Sequence, residues 1–298
     1  MEYLLHLLIL VGIYIMLAQS LSLSAGFGGM ISLAHAGFYG LGAYTAALLA
    51  VKCQTPFLVS LPASMLLSGA LALAIAAVAL RTIDDYFIIC TLGIQVVVFS
   101  LMNNWMSLTR GPLGIPGIPG IRLFGMSVES KPAFLLLVTS LAALIFFSIK
   151  KLTDSSFGRS LRALSEDEIF TQSLGKNVYL TKLIAFTIGA MLAAVPGALY
   201  AHYISYIDPT SFTLDESIFI LSIVIIGGMR NLWGNVLAAA FLVLLPEALR
   251  FVGMPNAIAA NMRQIIYGGI FVLMMFRYSR GFSVAYHLKH EVCKTKDR

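Results

Sequence analysis

The chain contains 298 residues, of which 59% are hydrophobic and only 11% are charged, and its formal net charge is +6. Soluble domains carry roughly 25% charged residues, so the composition excludes an ordinary water-soluble protein. Apolar runs of about 20 residues recur from one end to the other, which is typical of membrane-spanning helices. The three cysteines are odd in number and widely spaced, and they form no metal or disulfide pattern.

We predict an all-α polytopic membrane protein, a single transmembrane domain over residues 1–298 with about nine spans (8–10). The predicted spans are 4–24, 31–51, 56–80, 86–105, 133–150, 179–203, 214–229, 234–251 and 264–277. The first run lacks a basic n-region and a small-residue cleavage site, so it is interpreted as a retained helix. The second begins in a Gly-rich stretch and is a candidate for a broken or re-entrant helix.

Basic residues in the loops predict the orientation. One side holds 14 Lys and Arg: Arg81, Lys150, Lys151, Arg159, Arg162, Lys176, Lys182, Arg230, Arg277, Arg280, Lys289, Lys294, Lys296 and Arg298. The other side holds six: Lys52, Arg110, Arg122, Lys131, Arg250 and Arg263. We therefore expect the 150–182 loop and the basic tail 278–298 in the cytoplasm, and the 107–132 loop outside. The positive charge is assigned to orientation rather than to nucleic-acid binding.

The polar island at residues 157–175, FGRSLRALSEDEIFTQSLG, predicts a short capped helix. Ser165 with Glu168 three residues later matches a capping box, and acidic residues in a first turn suit the helix dipole. Gly175 is placed where a left-handed residue would close the helix. Such a short helix is unstable alone, so its apolar side chains require a partner. The candidate residues are Arg162, Ser165, Glu166, Asp167, Glu168, Phe170, Leu174 and Gly175.

The triplet Gly-Gly-Met occurs twice, at residues 28–30 and 227–229, each time between two apolar runs. Many transporters consist of repeated halves whose helix breaks fall at matching positions. The echo is compatible with an internal repeat, although glycine is frequent in membrane helices in any case.

The stretch 26–43, GFGGMISLAHAGFYGLGA, is dense in small residues. It permits close helix packing, for example through Ala36 and Gly40, or an unwound segment that lines a pathway. His35 is either hydrogen-bonded between helices or functional. Asp84 and Asp85 are interpreted as capping charges near Arg81 or as a proton-coupling pair. The candidate pathway residues are Ser32, His35, Gly37, Gly42, Tyr44, Gln95 and Asn103.

The segment 109–120, TRGPLGIPGIPG, contains three prolines and excludes regular helix. It is longer than the usual connector of about 2–6 residues, which favours a rigid external docking or gate loop over a mere connection. Its candidate residues are Arg110, Gly111, Pro112, Pro116 and Pro119. No enzyme motif, P-loop or metal cluster is present in the sequence, so any ATP must be bound by another chain.

The ordered motifs resemble the permease subunit of branched-chain amino acid ABC importers, of the LivM type. They are SLAHAGF (32–38), GAY (42–44), TRGPLGIPGIP (109–119), FGRSLRALSEDE (157–168), PGALYA (196–201), DPTSF (208–212), GGMRNLWGN (227–235) and LPEALR (245–250). They extend over almost the whole chain, and the Gly-Ile-Pro-Gly-Ile-Pro loop separates this type from its LivH-type sister.

The resemblance implies a multi-pass subunit of the bacterial inner membrane that pairs with a LivH-type permease, two cytoplasmic ATPase subunits and a periplasmic binding protein. It implies that residues 157–175 are the coupling helix seated in an ATPase, and that ATP and Mg are held only by those partners. Relatives commonly have two small residues where this chain has Phe170 and Thr171, which implies a matched partner surface.

The first functional hypothesis is ATP-driven alternating access for branched-chain or related small amino acids. The alternative is an ion-coupled secondary transporter of a small polar solute that uses His35 or the Asp84–Asp85 pair. A third is a structural membrane subunit without a pathway of its own. The sequence leaves open whether the solute is a branched-chain amino acid, another amino acid, urea or an amide.

Overall fold

A computed structural model of the chain describes residues 2–82, 84–123, 126–128, 130–251, 268–269 and 272. Side chains are described at these positions except at 84–85, 122–123, 126–127 and 247–251. Contacts divide the chain into the units Met1–Leu244 and Leu245–Arg298. Within residues 2–251, the first unit contains every helix and strand apart from the last residues of the helix Leu232–Phe251.

Eleven α-helices are described within residues 2–251. They are α1 (Glu2–Leu21), α2 (His35–Lys52), α3 (Phe57–Ala79), α4 (Asp84–Asn104), α5 (Met106–Thr109), α6 (Lys131–Asp154), α7 (Ser156–Glu166), α8 (Glu168–Ser173), α9 (Val178–Ile204), α10 (Leu214–Gly227) and α11 (Leu232–Phe251). A π-helical turn, Ser22–Phe27, continues α1, and 3₁₀ turns cover Gly111–Leu113 and Pro209–Phe212.

Four two-residue strands form two small antiparallel sheets. Strands β1 (Ile115–Pro116) and β4 (Tyr206–Ile207) pair with Ile115 opposite Ile207. Strands β2 (Arg122–Leu123) and β3 (Met126–Ser127) pair with Arg122 opposite Ser127. The first sheet joins the proline-rich segment to the chain that follows α9.

The architecture confirms the predicted all-α polytopic class. Five helices among the described residues are long and apolar enough to cross a membrane by length and composition: Glu2–Phe27, Phe57–Ala79, Tyr86–Asn104, Lys131–Asp154 and Val178–Ile204. The second predicted span starts later than expected, at His35, because residues 28–34 are not helical. The ninth, 264–277, is described only at 268, 269 and 272, so the number of spans and the repeat stay predictions.

Helix α9 packs closely against α2 through small residues. A Cβ added to Gly42 would lie 2.5 Å from Cα of Ala194, and one added to Gly197 would collide with the backbone of Tyr39. Small residues let helix backbones approach in a membrane, where packing replaces the hydrophobic effect as the main attraction between helices. Gly42 therefore serves packing. Gly40 of the predicted small-residue pair Ala36/Gly40 is closely approached by the side chains of Phe212 and Met102.

Contacts near the helix ends show which connecting segments lie at the same end of the helix bundle. At one end, called here the loop end, Phe57 stacks edge-on against His202, and Lys131 forms an ion pair with Glu2 at 2.9 Å. At the opposite end, called here the α7 end, Tyr179 donates a hydrogen bond to the carbonyl of Ala77 at 3.0 Å. The partition agrees with the grouping of loops that the basic residues predicted.

Candidate functional site

Helix α7 is an amphipathic helix with a defined start. The Ser155 hydroxyl accepts a hydrogen bond from the Gly158 amide at 3.4 Å, which caps the first turn. Leu161 and Leu164 are buried on one face. The opposite face carries the polar residues, so the helix lies with one apolar side on the protein.

The predicted capping box is wrong. Ser165 lies inside α7, where its hydroxyl donates to the carbonyl of Arg162 at 2.7 Å. Asp167 instead ends α7 and begins α8, with extended backbone angles (φ −150°, ψ 109°). Its Oδ1 accepts a hydrogen bond from the Phe170 amide at 2.9 Å. The polar island is therefore two helices with a break at Asp167, and Glu168 is the first residue of the second helix.

The physical reason for this correction is the tertiary setting of Ser165. A Cβ added to Gly29 would lie 3.1 Å from the Cβ of Ser165, so this serine is packed against the non-helical segment 28–34. Its hydroxyl also accepts a hydrogen bond from Nη2 of Arg230 at 2.9 Å. The Ser165 side chain, which the local pattern assigned to capping, therefore contacts residues that are far away in sequence.

The apolar face of α8 is exposed, as a segment that requires a partner would be. Ile169, Phe170 and Leu174 are 82%, 60% and 62% exposed. Gly175 has a φ of +76°, which confirms the left-handed residue predicted at this end. Thr171 is buried and donates to the Asp167 carbonyl at 2.8 Å, so of the two unusual residues only Phe170 faces outward.

An open groove of about 570 Å³ lies beside α8, lined among others by Glu168, Gln172, Lys176 and Tyr179. Glu168 forms an ion pair with Lys182 across this groove. The exposed apolar residues of α8 and this groove both lie at the α7 end, and together they form the candidate surface.

Arg230 joins α7 to both Gly-Gly-Met segments. Its Nη1 donates to Oε1 of Glu166 at 2.8 Å, and its Nε lies 3.4 Å from the carbonyl of Gly26. Ser22 donates to the carbonyl of Met229 at 2.7 Å. The second triplet therefore lies against the π-helical turn that precedes the first triplet. The first triplet lies against α7 through Gly29 and Ser165.

Both triplets break their helices in a similar way. The second glycine of each has a positive φ, +69° at Gly29 and +90° at Gly228. Residues with a Cβ rarely adopt such angles, which explains why glycine stands at both breaks. Arg162 adds a further contact on this side, with its guanidinium 5.2 Å from the centre of the Phe27 ring.

The non-helical segment 28–34 is held inside the protein by side chains of other helices. Thr91 accepts a hydrogen bond from the Leu33 amide at 3.1 Å, and Ser217 accepts one from the Ala36 amide at 3.0 Å. Ser32 is buried. Irregular backbone at membrane depth is tolerated when its polar groups are satisfied in this way, as the unwound-segment interpretation required.

His35 is buried at the start of α2, where its Nε2 lies 2.7 Å from the hydroxyl of Ser20 in α1. This contact agrees with the interhelical interpretation of the histidine. The side chains of Asp84 and Asp85 lie outside the described set, so their capping role stays a prediction.

Helices α2 and α4 face each other along a line of small and polar residues. A Cβ added to Gly37 would lie 2.8 Å from Oε1 of Gln95, and one added to Gly40 would lie 3.0 Å from Cε of Met102. Gly37, Tyr44 and Gln95 of the predicted pathway thus share one face. Gly42 faces α9 instead, and the backbone of Asn103 lies near Gly111 at the loop end.

Phe212 packs against the face shared by α2 and α4, next to Gly40 and Tyr44. It was not among the predicted pathway residues. Phe212 has no exposed surface. Its ring centre lies 5.0, 6.0 and 6.2 Å from the ring centres of Tyr39, Tyr44 and Tyr200. These three tyrosines are called the tyrosine cage. The carbonyl of Phe212 accepts a hydrogen bond from Nε2 of Gln95 at 2.8 Å. Phe212 is the last residue of the Asp-Pro-Thr-Ser-Phe motif, which the sequence made recognisable. Its contacts were not predictable, because Tyr39, Tyr44 and Gln95 are far from it in sequence.

The proline-rich segment repeats with a period of three. Ile115, Ile118 and Ile121 are buried, whereas Pro116 and Pro119, with the glycine after each, are exposed. The amide of Ile118 donates to the carbonyl of Ser205 at 3.2 Å. The isoleucines therefore anchor the loop, and the prolines form its outer surface.

His202 joins this loop to α9. Its Nδ1 donates to the carbonyl of Pro119 at 2.8 Å, and the side chain is buried. Arg110 and Pro112 are exposed on the same loop, and Gly111 is buried with its Cα close to the Asn103 carbonyl. The predicted docking residues are thus gathered on one loop, with Gly111 on its inner side.

Membrane-spanning helices, a buried unwound segment, a rigid loop at one end and an unpartnered capped helix at the other define a polytopic membrane transport protein. The family described as branched-chain amino acid transport system / permease component matches residues 3–275. The chain belongs to that family.

Two relatives are proteins named high-affinity branched-chain amino acid transport system permease protein LivM. The one from Salmonella typhimurium is 36% identical and the one from Escherichia coli 35% identical, each over 90% of this chain and 67% of the relative. The permease protein LivH of Salmonella typhimurium is 27% identical over 66% of this chain and 68% of its own length. No solved structure matches the chain significantly. The predicted permease class is confirmed, and the ion-coupled alternative gains no support.

Proposed function

We propose that this chain is the transmembrane permease subunit of an ABC importer that moves branched-chain or related small amino acids by ATP-driven alternating access. The observation that carries the proposal is the exposed apolar face of α8, capped by Asp167 and joined through α7 to Arg230. A helix too short to be stable alone, with its apolar side uncovered, is suited to bind in a groove of another protein.

The segment α7–α8 is proposed as the coupling element that binds a cytoplasmic ATPase subunit. Phe170 and Leu174 would enter an apolar groove of that subunit, and Glu168 and Lys176 would contact its polar rim. ATP and Mg would be bound by the two ATPase subunits, and this chain would hold no cofactor. The α7 end is accordingly proposed to face the cytoplasm, in keeping with the basic-residue count.

The proline-rich segment is proposed as the docking surface for a periplasmic solute-binding protein. Its exposed prolines are rigid, so binding would cost little conformational entropy. Arg110 and Pro112 extend the same surface. A related permease of the LivH kind would complete the pathway in the inner membrane, where lipid would cover the remaining apolar helix faces.

Reconstitution in proteoliposomes with the ATPase, permease and binding-protein products of neighbouring genes tests this function. Uptake of labelled leucine should require ATP and should stop when Phe170 is replaced by Glu, since a charge would then be placed in the apolar contact. Ile204→Glu, a change at an exposed apolar position far from α8 at the loop end, serves as the matched control. Uptake that persists without ATP, or that survives Phe170→Glu, would reject the proposed coupling.

A further inference from the structure

Three buried acceptor oxygens next to the tyrosine cage have no hydrogen-bond partner among the described residues. They are Oε1 of Gln95, the hydroxyl of Tyr44 and Oε1 of Glu216. Leaving a buried polar group unpaired costs about 1–3 kcal/mol, and native proteins keep few such groups. Tyr44 and Gln95 both contact Phe212, so two of these oxygens stand beside it.

Glu216 contributes a carboxyl group to this region, with one oxygen buried. It lies in the first turn of α10, four residues after Phe212, and Tyr14 forms a hydrogen bond with its carboxylate. Tyr39 and Tyr200 of the cage lie within electrostatic range of this carboxyl group. One of its oxygens is buried and has no partner among the described residues.

We propose that Phe212 closes a recognition site for the ammonium group of the transported amino acid, and that the tyrosine cage and the Glu216 carboxylate form that site. Aromatic rings attract ammonium groups over their faces, and a carboxylate adds a charge-assisted hydrogen bond. An ammonium group brings three N–H donors, which are what the unpaired oxygens lack. The inference rests on the proposed import function and specifies where the solute is recognised.

Phe212 is positioned to act as a movable plug. Only Asp208 separates β4 from the 3₁₀ turn Pro209–Phe212, and β4 is paired with β1 of the proline-rich segment. A partner that shifts this segment would pull on the turn that carries Phe212. Gly40 makes room for the closed position, because a Cβ there would lie 2.9 Å from Cγ of Phe212.

Accessibility of a cysteine behind the plug tests the proposal. Val98 is buried and packs against Gly37, on the side of Phe212 that faces away from the loop end, and Val98→Cys nearly preserves volume. Cys53, Cys90 and Cys293 are replaced by serine, and right-side-out membrane vesicles are treated from outside. The probes are a 2-ammonioethyl and a sulfonatoethyl methanethiosulfonate, with rates normalised to their reaction with free thiol.

With Phe212 intact we expect slow labelling by both probes. Phe212→Ala should accelerate labelling, with a preference of about tenfold for the cationic probe, as a desolvated cation–aromatic contact provides. Glu216→Gln in the Phe212→Ala background should reduce that preference. Phe212→Leu, a milder change, should accelerate labelling less and covers the case in which the alanine variant does not fold.

Phe186→Ala is the matched control, since Phe186 is a buried phenylalanine of α9 that packs against Phe38 and Phe87. Equal acceleration by Phe186→Ala would show general loosening and overturn the plug. Unchanged labelling in both Phe212 variants would do the same, and a charge preference that Glu216→Gln leaves intact would overturn ammonium recognition. Because labelling needs neither ATP nor transport, these outcomes are separate from failure of the proposed import function.

Discussion

The guanidinium of Arg230 donates a hydrogen bond from Nη1 to Oε1 of Glu166 across 2.8 Å. Arg230 directly follows the second Gly-Gly-Met triplet, and Glu166 is the last residue of α7. The two residues are 64 positions apart. We therefore expect a displacement of α7 to reach the break between α10 and α11 and, through the Gly26 carbonyl, the end of the π-helical turn.

Arg230→Gln should lower the amount of solute moved per ATP hydrolysed by about fivefold, the lower range of typical coupling between sites. Stability should fall by less than about 1 kcal/mol, because exposed ion pairs contribute little, and both side chains here are well exposed at 43% and 67%. Transport and hydrolysis measured in the same proteoliposomes give the ratio.

Arg159→Gln is the control for this prediction, since Arg159 lies on α7 and its side-chain bond among the described residues is local, to the carbonyl of Asp154 at 3.0 Å. The double exchange Glu166→Arg with Arg230→Glu should restore part of the coupling. If Arg159→Gln uncouples as strongly as Arg230→Gln, the contact has no special part in transmission.

Asp167→Ala should weaken α8, because loss of an N-cap side chain costs about 0.5–2 kcal/mol. Hydrogen exchange of the amides of 168–173 in the intact, reconstituted chain should become several-fold faster. Asp167→Asn keeps an acceptor and should exchange like the wild type. Ser165→Ala is the informative comparison: if it accelerates exchange in α8 more than Asp167→Ala does, then Ser165 is the cap after all.

Residues 157–175 illustrate which features the sequence made predictable. Their polarity, the helical segment and the left-handed Gly175 follow from local composition, because each depends on neighbours within one turn. The choice between Ser165 and Asp167 as cap does not, since it depends on Gly29 and Arg230. Local pattern favoured the wrong residue because tertiary contacts outweigh an intrinsic capping preference.

The buried face between α2 and α4 was even less predictable from local sequence. Gln95 was recognisable as a polar residue inside an apolar run, but its bond to the Phe212 carbonyl joins positions 117 apart. The acidic pair Asp215–Glu216 stands at the start of the predicted span 214–229. Only the fold places Glu216 in the first turn of α10, where one carboxylate oxygen is buried.

Gly42→Ala should destabilise the protein by about 1–3 kcal/mol, the usual cost of overpacking, because its methyl group would meet the Ala194 backbone. Gly93→Ala is a matched control on α4, where nothing lies within 4 Å of an added Cβ. That change should be neutral or stabilising by about 0.5–1 kcal/mol, since alanine is the better helix former. Thermal unfolding in detergent compares the two, and equal losses would contradict close packing of α2 on α9.

Substitutions in the proline-rich segment should distinguish residues that anchor the loop from residues that bind a partner. Ile118→Ala removes a buried side chain and should cost about 2–5 kcal/mol locally, so limited proteolysis should cut residues 109–121 faster. Pro119→Ala should leave proteolysis nearly unchanged, because His202 bonds to the backbone carbonyl of Pro119 rather than to its ring. The same Pro119→Ala variant should weaken binding of the solute-binding protein, measured on permease in nanodiscs, because the exposed proline ring is part of the proposed contact surface. Accelerated proteolysis in Pro119→Ala, or unchanged proteolysis in Ile118→Ala, would reverse the assignment of the inner and outer sides of this loop.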